Sequence, residues 1–413
     1  MPAAAPLPLP ADAVTLHLPC ARGTERAVEH ELLDLGAAGE DVVLGKGVVT
    51  AHVPGGERAG HALMVRANVF SRCASRVLFE LAHLEDVKGA DDLVERLSHV
   101  PFEERLDAKG TLAVDAHLRE CEWSHEHYAA QRVKDVIVDR LRGLGRGRPD
   151  VDTRRPSLRF VLHWERSHAT LSLDTSGDAL FQRGYRRGVE GMAPMKETLA
   201  ASILAMAHAD VARPFLDPCC GTGTLAIEQA WRALRRAPGR DRRFGFERWS
   251  KRPAELDRAL AQARTEARDL ERAELPAPIV LSDWHKDAVD GARACLEQAG
   301  LARVLTVERV DARKAALPGE RPLVVSNLPF GERLGGERAG GQSGRLQLEG
   351  FYRTLGERMR EAHGARVILF SGYPRARELL ALDDAAAKKS TWKLKSGPLD
   401  AVLYRWDIAH HHQ

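Results

Sequence analysis

The feature that most constrains the fold of this chain is a strand, a glycine-rich turn and a helix that follow one another over Arg213–Ala230. The segment reads R-P-F-L-D-P-C-C-G-T-G-T-L-A-I-E-Q-A. Its apolar run ends at Asp217, its turn contains Gly221 and Gly223, and apolar residues then recur at helical spacing. Glycines allow a ligand to approach the backbone, and the start of a helix offers unpaired N–H groups. The segment therefore predicts a cofactor-binding turn in an α/β fold, and it suits a dinucleotide as well as another nucleotide-like cofactor.

A second motif follows a predicted buried strand further along the chain. Residues 322–331 read P-L-V-V-S-N-L-P-F-G, so that Asn327-Leu328-Pro329-Phe330 comes directly after the strand. An amine on an aromatic ring is a poor nucleophile because its lone pair is delocalised. An Asn side-chain oxygen and backbone carbonyls can accept its N–H hydrogen bonds, and an aromatic ring offers the base a stacking face. The motif indicates methylation of such an amine with S-adenosylmethionine (SAM); the alternative is an ordinary strand-to-loop turn with a packed phenylalanine.

Two acidic residues follow the next predicted strands. Asp283 ends the second strand, where a carboxylate can accept two ribose hydroxyls, and Asp311 follows the third, where it can accept an adenine amino group. In dinucleotide-binding folds the acidic residue comes roughly 20 residues after the glycines, whereas here it comes much later. This spacing weakens the interpretation as a nicotinamide oxidoreductase, which stays open as an alternative of another class.

Length and composition limit the class of protein. The 413 residues suit two or three domains, and 44% hydrophobic with 29% charged residues is ordinary for a globular protein. No apolar run approaches the roughly 18 residues of a membrane span, and residues 1–12 are expected to be a disordered leader. Six cysteines without a disulfide-like spacing favour the cytoplasm. The spacing of His125 and His127 does not suit two ligands on one helix face, so no metal is expected.

The basic residues are clustered, although the formal net charge is only +3. One cluster lies within Trp231–Arg252, and a second surrounds Tyr185 within Gln182–Gly188. A solvated charged face explains either cluster by itself. Two clusters that both contain aromatic residues favour nucleic-acid binding.

Hydrophobic periodicity predicts three folded parts. A β-α-β-β-α-β order predicts a ferredoxin-like domain over residues 13–70, and a second α+β unit follows over 71–174. Residues 175–194 are Gly-rich and basic, and they are predicted to form a linker. Alternating strands and helices over 195–408 predict a doubly wound, Rossmann-like sheet, and 409–413 are a tail.

Several short stretches together carry a family resemblance that covers nearly the whole chain after the leader. They are Val133-Lys134-Asp135, Leu173-Asp174 with Ser176-Gly177-Asp178, Arg183-Gly184-Tyr185-Arg186, P-M-K-E-T-L-A at 194–200, Asp217–Thr224, Ser326–Leu334 and Gly397-Pro398-Leu399-Asp400. With them the chain resembles the THUMP-containing class I RNA methyltransferases, and among these the bacterial large-subunit rRNA guanine-N2 methyltransferases. The family often has Asn-Pro-Pro-Tyr where this chain has Asn-Leu-Pro-Phe, a variant that also resembles the tRNA guanine-N2 members.

The resemblance implies a SAM-dependent RNA methyltransferase in which residues 71–174 form a THUMP RNA-binding domain. The cofactor-binding residues that it implies are Thr198, Asp217, Cys219, Gly221, Thr222, Gly223, Thr224, Asp283, Asp311 and Asn327. The residues expected at the target amine are Asn327, Leu328, Pro329 and Phe330, and those expected at RNA are Lys134, Arg183, Tyr185, Arg186, Arg187 and Arg333.

The expected reaction is N2-methylation of a guanosine in 23S rRNA, either in free RNA or in a large-subunit assembly intermediate. Three alternatives stay open besides the oxidoreductase. They are methylation of a tRNA guanosine, methylation of a DNA adenine, and a non-catalytic RNA-binding factor in ribosome assembly.

Overall fold

The chain divides into two units, seen in a computed structural model that describes residues 12–189, 195–330, 342–397 and 399–409. The N-terminal unit comprises 1–20, 28–180 and 238–267, and the C-terminal unit comprises 21–27, 181–237 and 268–413. Within the described ranges, no helix is long and apolar enough to cross a membrane.

The N-terminal unit is built on one mixed sheet of eight strands, in the order β2-β3-β1-β4-β8-β7-β5-β6. The strands are β1 (Val14–Pro19), β2 (Val42–Leu44), β3 (Val48–Val53), β4 (Leu78–Leu84), β5 (Thr111–Arg119), β6 (Asp150–Val151), β7 (Leu158–Glu165) and β8 (His168–Asp174). The helices that accompany them are α1 (Glu25–Asp34), α2 (Gly56–Phe70), α3 (Ala90–Ser98) and α4 (Glu126–Gly143). Only β5 makes parallel pairs, with β6 and β7, among the described strands of this sheet.

Alternation along the strands separates a buried face of this sheet from a polar face. Leu16 and Leu18 of β1 are in register with Ala51 and Val49 of β3, and all four are buried. His17, which lies between the two leucines, is on the opposite and partly exposed face. This period of two is the pattern from which the sequence analysis predicts the strands.

The two predicted N-terminal modules share this single sheet. β4 completes the predicted β-α-β-β-α-β order although it lies beyond residue 70, the predicted end of that module. It pairs antiparallel with β8 of the second module, and Phe79 lies opposite Leu173. Sequence periodicity does not predict the pairing because the two strands are far apart in the chain.

The arginine-rich segment 238–267 groups with the N-terminal unit, although it lies within the Rossmann-like domain predicted over 195–408. Its helix α7 (Ala254–Asp269) is held by Glu266, which accepts two hydrogen bonds from the Arg66 guanidinium at 2.5 and 3.0 Å. Arg248 Nε donates to the carbonyl oxygen of Pro156 at 3.0 Å. These basic residues therefore act in packing within the N-terminal unit.

The C-terminal unit contains a seven-stranded sheet in the order β11-β10-β9-β12-β13-β15-β14. Its strands are β9 (Phe215–Asp217), β10 (Ile279–Asp283), β11 (Thr306–Arg309), β12 (Leu323–Asn327), β13 (Arg366–Ser371), β14 (Ala386–Ser396) and β15 (Leu399–Ile408). The first five are parallel, and β15 and β14 add two antiparallel strands at one edge. The strand order reverses between β9 and β12, which is where open α/β sheets bind ligands.

Helices cover both faces of this sheet, as the predicted doubly wound fold requires. They are α5 (Glu197–Met206), α6 (Thr224–Ala233), α8 (Lys286–Gln298), α9 (Gln342–Glu361) and α10 (Ala376–Leu380). Leu323 and Val325 of β12 pack in a core with α5, α6 and α8, whereas Val324 packs in a second core with α9 and α10. The continuous apolar run of β12 follows because both faces of the strand are buried.

Two elements are longer than their apolar patterns predict. Apolar spacing in the sequence predicts a helix over Phe351–His363 and a strand over Trp392–Leu394. In the structure the helix begins at Gln342, and the strand extends over Ala386–Ser396. β14 is the edge strand, so one of its sides needs no partner, and its lysines can remain in solvent.

Two glycines of α9 provide a matched test of its packing against α10. A Cβ at Gly356 would overlap the carbonyl oxygen of Leu380, whereas a Cβ at Gly350 would meet nothing within 4 Å. We expect Gly356→Ala to lower the unfolding free energy of the C-terminal unit by about 1–3 kcal/mol, which is measured as a lower urea midpoint. Gly350→Ala should instead stabilise it by roughly 0.5–1 kcal/mol, because alanine is the better helix former. Equal effects of the two substitutions would contradict this packing.

Candidate active site

The carboxyl ends of β9, β10 and β12 bring together three residues that the sequence analysis singles out. Leu281 of β10 is in register with Asp217, and Asp283 Oδ2 accepts a hydrogen bond from the Gly221 N–H at 3.0 Å. Asn327 ends β12, next to Ser326, which contacts Asp217. These side chains lie at the point where the strand order of the sheet reverses.

Asp217 connects the two central strands. Its Oδ1 accepts hydrogen bonds from Ser326 Oγ at 2.7 Å and from the Cys219 N–H at 3.3 Å. Complete burial raises the pKa of Asp217 from 3.8 to about 7, and the charge of Asp283 acts in the same direction. A buried carboxyl with this pKa is poised to ionise when a positively charged ligand group approaches it.

The glycine-rich turn leaves room on its outer side. Gly221 has φ +53°, and a Cβ there would meet nothing within 4 Å. Gly223 has φ +80°, precedes α6, and would place a Cβ 2.9 Å from Leu281. The turn therefore requires glycine at both positions for its backbone conformation, and at Gly223 also for close packing on β10.

Asp283 is fixed by backbone groups from two segments. Besides the Gly221 N–H, it binds the His285 N–H at 3.0 Å through Oδ1. Trp284, the next residue, is 59% exposed. An exposed indole beside a fixed carboxylate offers a stacking face to a planar ligand, and the sequence analysis missed it because an exposed tryptophan leaves no periodic signal.

Asp311 lies near the same sheet edge but is already paired. Its carboxylate binds Arg313 through the guanidinium at 2.5–3.0 Å and through the backbone N–H at 2.9 Å. These hydrogen bonds lower the pKa of Asp311. An adenine amino group would therefore share this carboxylate with Arg313.

A buried tyrosine forms a hydrogen bond with the backbone of the tetrapeptide Asn327–Phe330. Tyr352 of α9 donates from its hydroxyl to the Pro329 carbonyl at 3.0 Å, and the same hydroxyl lies 2.6 Å from Ser371 Oγ. The Phe330 ring packs so closely on Gly372 that a Cβ there would lie 2.8 Å from it. No local sequence pattern points to Tyr352, because it reaches the tetrapeptide only when α9 packs against the sheet.

Three buried polar atoms around these elements have no hydrogen-bond partner among the described residues. They are Thr222 Oγ1, Ser282 Oγ and Asn327 Oδ1. An unpaired buried acceptor or donor costs roughly 1–3 kcal/mol, so such groups usually meet a ligand or water. The three atoms belong to the glycine turn, to β10 and to the tetrapeptide, which are the elements that the sequence analysis assigns to the ligands.

The two thiols of the turn do not supply a nucleophile. Burial raises the pKa of Cys219 and of Cys220 well above the usual value, so both thiols are protonated near neutral pH. Cys220 also anchors the turn through its N–H, which donates to the Ser282 carbonyl at 3.0 Å. Thr198 is buried in the first turn of α5, and Thr224 is buried at the start of α6.

Two of the predicted RNA contacts are wrong, because their side chains are buried. The Arg183 side chain is 1% exposed and lies 2.7 Å from Glu228, which is fully buried. Tyr185 is also buried, and its hydroxyl donates to Glu228 at 3.1 Å. Arg186 binds Glu197 at 2.9 Å, so this stretch links α5 to α6. Because 17% of the Arg186 side chain is exposed, its predicted RNA contact stays a prediction.

The remaining RNA candidates stay predictions. Arg187 is exposed, and Lys134 on α4 pairs with Asp135 at 2.8 Å. Arg333 lies outside the described residues. In the basic stretch Trp231–Arg252, most of the arginines have carboxylate or carbonyl partners, so its charge is largely used within the protein.

Comparisons with known proteins match all three folded parts of the chain. The model of the RMKL-like methyltransferase domain matches residues 183–401, a THUMP domain matches 87–174, and the RlmL ferredoxin-like domain matches 15–78. The chain belongs to the RMKL-like methyltransferase family. The predicted family, with its ferredoxin-like, THUMP and Rossmann-like methyltransferase folds, is thereby confirmed.

Two curated relatives of the family are each named ribosomal RNA large subunit methyltransferase K/L. The protein of Syntrophotalea carbinolica is 39% identical over 83% of this chain and 48% of its own length. That of Chromohalobacter salexigens is 34% identical over 94% of this chain and 52% of its own length. The chain thus spans about half the length of the curated relatives it matches.

A solved structure confirms the fold. SMU.472, described as a candidate methyltransferase in complex with SAH, superposes with a TM-score of 0.82 at 23% identity. The match covers 98% of this chain and 100% of the other.

The raised pKa of Asp217 makes a stability prediction. Because the folded-state pKa lies above the ordinary value of 3.8, the folded protein binds more protons than the unfolded chain between about pH 4 and pH 7. The stability that the protonated Asp217 carboxyl contributes is fully present below about pH 4 and is lost as the pH rises through about 7. Asp217→Asn removes this pH-dependent loss, so relative to wild type we expect the unfolding free energy of the variant to rise by about 4 kcal/mol between pH 4 and pH 8.

Urea unfolding at several pH values checks this expectation. Asp290→Asn, a substitution of an exposed carboxylate on α8, serves as the control and should follow the wild-type pH profile. An Asp217→Asn profile parallel to wild type would show that folding does not raise the pKa of Asp217.

Proposed function

We propose that the C-terminal unit transfers a methyl group from SAM to the exocyclic N2 amine of a guanosine in 23S rRNA. The observation that carries the proposal is the Asn327 side-chain oxygen, which is buried and has no partner within the described part of the chain. An acceptor in that state binds an N–H group that arrives with a ligand.

Asn327 suits an aromatic amine for a chemical reason. By accepting an N–H hydrogen bond, its oxygen orients the amine and draws the nitrogen lone pair out of conjugation with the ring. The Leu328 carbonyl is the second candidate acceptor, and Phe330 offers a stacking face for a base taken out of a helix. Such positioning and hydrogen bonding supply the catalysis without a covalent intermediate.

The residues around the glycine turn fit SAM. Gly221 has no side chain, so the cofactor can approach the backbone of the turn closely. Asp217 can lose its proton and form an ion pair with the positively charged amino group of the methionine part of SAM. Asp283 can accept the ribose hydroxyls, with the Trp284 ring beside it for the adenine. When bound, SAM supplies an electrophilic methyl group on sulfur, and the products are S-adenosylhomocysteine, N2-methylguanosine and a proton.

Tyr352 prepares the target side of the site. Its hydroxyl donates a hydrogen bond to the Pro329 carbonyl oxygen. The Asn327 side-chain oxygen has no partner among the described residues and can accept a hydrogen bond from the substrate. Because Tyr352 and Ser371 are both buried, this support is shielded from water. The tetrapeptide is therefore held in position before the base arrives.

The choice of 23S rRNA rests on the relatives and on the N-terminal unit. Both curated relatives carry the name of a large-subunit rRNA methyltransferase, and the N-terminal unit contains the THUMP match. The Asn-Leu-Pro-Phe variant keeps a tRNA guanosine as the second candidate substrate. A non-catalytic assembly factor would have no use for an unpaired Asn327 oxygen.

Substitution of Asn327 tests the reaction. We expect Asn327→Ala to lower kcat for RNA methylation by roughly 10²–10³, because one preorganised hydrogen bond is lost. Asn327→Asp, which keeps an acceptor oxygen, should retain more activity than Asn327→Ala. The measurement is transfer of labelled methyl groups to unmodified 23S rRNA transcript.

The substrate is decided by nucleoside mass spectrometry of separately digested rRNA and tRNA from a strain that lacks the gene. Loss of one N2-methylguanosine from large-subunit rRNA, restored by wild type but not by Asn327→Ala, would support the proposal. A loss confined to tRNA would overturn the substrate and keep the reaction. Unchanged methylguanosines in both fractions would favour the assembly factor.

Trp284 offers a separate test of the cofactor. We expect Trp284→Ala to weaken SAM binding by about 1–3 kcal/mol through the loss of stacking, and Trp284→Phe to retain most of the affinity. Calorimetric titration with SAM, and with NAD for comparison, measures both effects. Binding of NAD in preference to SAM would restore the oxidoreductase alternative.

A further inference from the structure

A cluster of three arginines lies around one carboxylate of α9. Arg345 Nε lies 3.2 Å from Glu349, and Arg353 lies 3.4 Å from it, so the three residues occupy successive turns of the helix. Arg375, which precedes α10, binds the same carboxylate at 2.7 Å. The Glu349 side chain is buried, whereas those of Arg345 and Arg353 are 64% and 53% exposed.

This arginine cluster (Arg345, Arg353 and Arg375) is linked to the target tetrapeptide through Glu349 and residues 371–373. The Tyr373 hydroxyl donates to Glu349 at 2.9 Å, and the Tyr373 N–H binds Ser371 Oγ at 3.0 Å. Gly372, between them in the chain, lies against the Phe330 ring. The guanidinium groups are therefore fixed to the same short segment that supports the proposed stacking face.

The charges in the cluster do not balance. Glu349 is shared by all three arginines, and the one other carboxylate paired with them in the described structure is Glu378, which binds Arg375. By contrast, Arg313 pairs with Asp311, which forms no ion pair with another arginine among the described residues. The cluster thus carries one net positive charge, and it is concentrated on the two most exposed side chains.

We propose that this arginine cluster binds the phosphates of the RNA strand that carries the target nucleotide. A guanidinium has five N–H donors in a planar fork, and each contact with Glu349 uses only part of them. The carboxylate orients the side chains, and their remaining donors face solvent, as bidentate phosphate binding requires. A base that is taken out of a helix draws its flanking phosphates to the protein surface beside it. This inference rests on the proposed function, because it places the strand next to Phe330.

The test is the salt dependence of RNA binding by the full chain. The probe is a mixed-sequence, single-stranded 20-nucleotide RNA, and the variant is Arg345→Gln with Arg353→Gln. The slope of log K against log[salt] is negative, and each phosphate contact on a single strand contributes about −0.7 to it. The double variant lacks two such contacts, so its slope should be less steep than that of wild type by about 1.4. The affinities should agree near 1 M salt and differ by about 25-fold near 0.1 M.

Two matched variants separate charge at this site from charge in general. Arg293→Gln with Arg303→Gln removes two exposed arginines at and after α8, and it should leave the slope unchanged. Arg345→Lys with Arg353→Lys keeps the charge and should restore most of the slope while it loses bidentate geometry. An unchanged slope in the glutamine variant, or an equal loss in the control pair, would overturn the inference.

Methylation of 23S rRNA transcript distinguishes this inference from the proposed function. For the Arg345 and Arg353 glutamine variant we expect a KM for RNA raised about tenfold or more, with kcat and SAM affinity within twofold of wild type. A wild-type KM in an active variant would overturn the inference alone. If the wild-type chain methylates no RNA, the proposed function fails, and the binding slopes still decide whether the cluster holds phosphates.

Discussion

The hydrogen bond from Ser326 to Asp217 joins the carboxyl ends of β12 and β9, between which the strand order of the sheet reverses. The glycine turn begins at Cys219, whose N–H binds the same two side chains, and the target tetrapeptide starts directly after Ser326. One buried contact thereby sets the position of the cofactor side relative to the target side. Its burial also explains the raised pKa of Asp217, since no water can hydrate the charged carboxylate.

The site combines groups that the protein holds with groups that it leaves to ligands. Asp283 and the Pro329 carbonyl are bound by N–H or O–H donors from other elements, which fixes their geometry. Thr222 Oγ1 and Asn327 Oδ1 are buried without partners among the described residues. Catalysis by positioning of the substrate requires both kinds of group. The paired groups keep the site rigid, and each unpaired group contributes binding free energy only when a ligand forms a hydrogen bond with it.

The arginines show why charge in a sequence does not by itself locate a binding surface. Arg183 lies in a basic motif of the sequence, yet it is buried against Glu228 of α6. Arg345 and Arg353 lie in a helix whose start carries no recognisable motif, yet they are exposed beside the target turn. A buried arginine that is paired with a buried glutamate is inaccessible to RNA, whereas an exposed arginine with a shared carboxylate keeps donors for a phosphate.

The sequence by itself determined the features that depend on neighbouring residues. Strand alternation, the turn at Asp217–Thr224 and the tetrapeptide after β12 are local patterns, and they indicate the doubly wound fold and a methyl-transfer site. Tertiary structure decided the features that depend on contacts between distant segments. These are the β4–β8 pairing that joins two modules into one sheet, the place of residues 238–267 in the N-terminal unit, and the support of Pro329 by Tyr352. Burial also belongs to this second group, because the environment of a side chain such as Tyr185 exists only after the chain has folded.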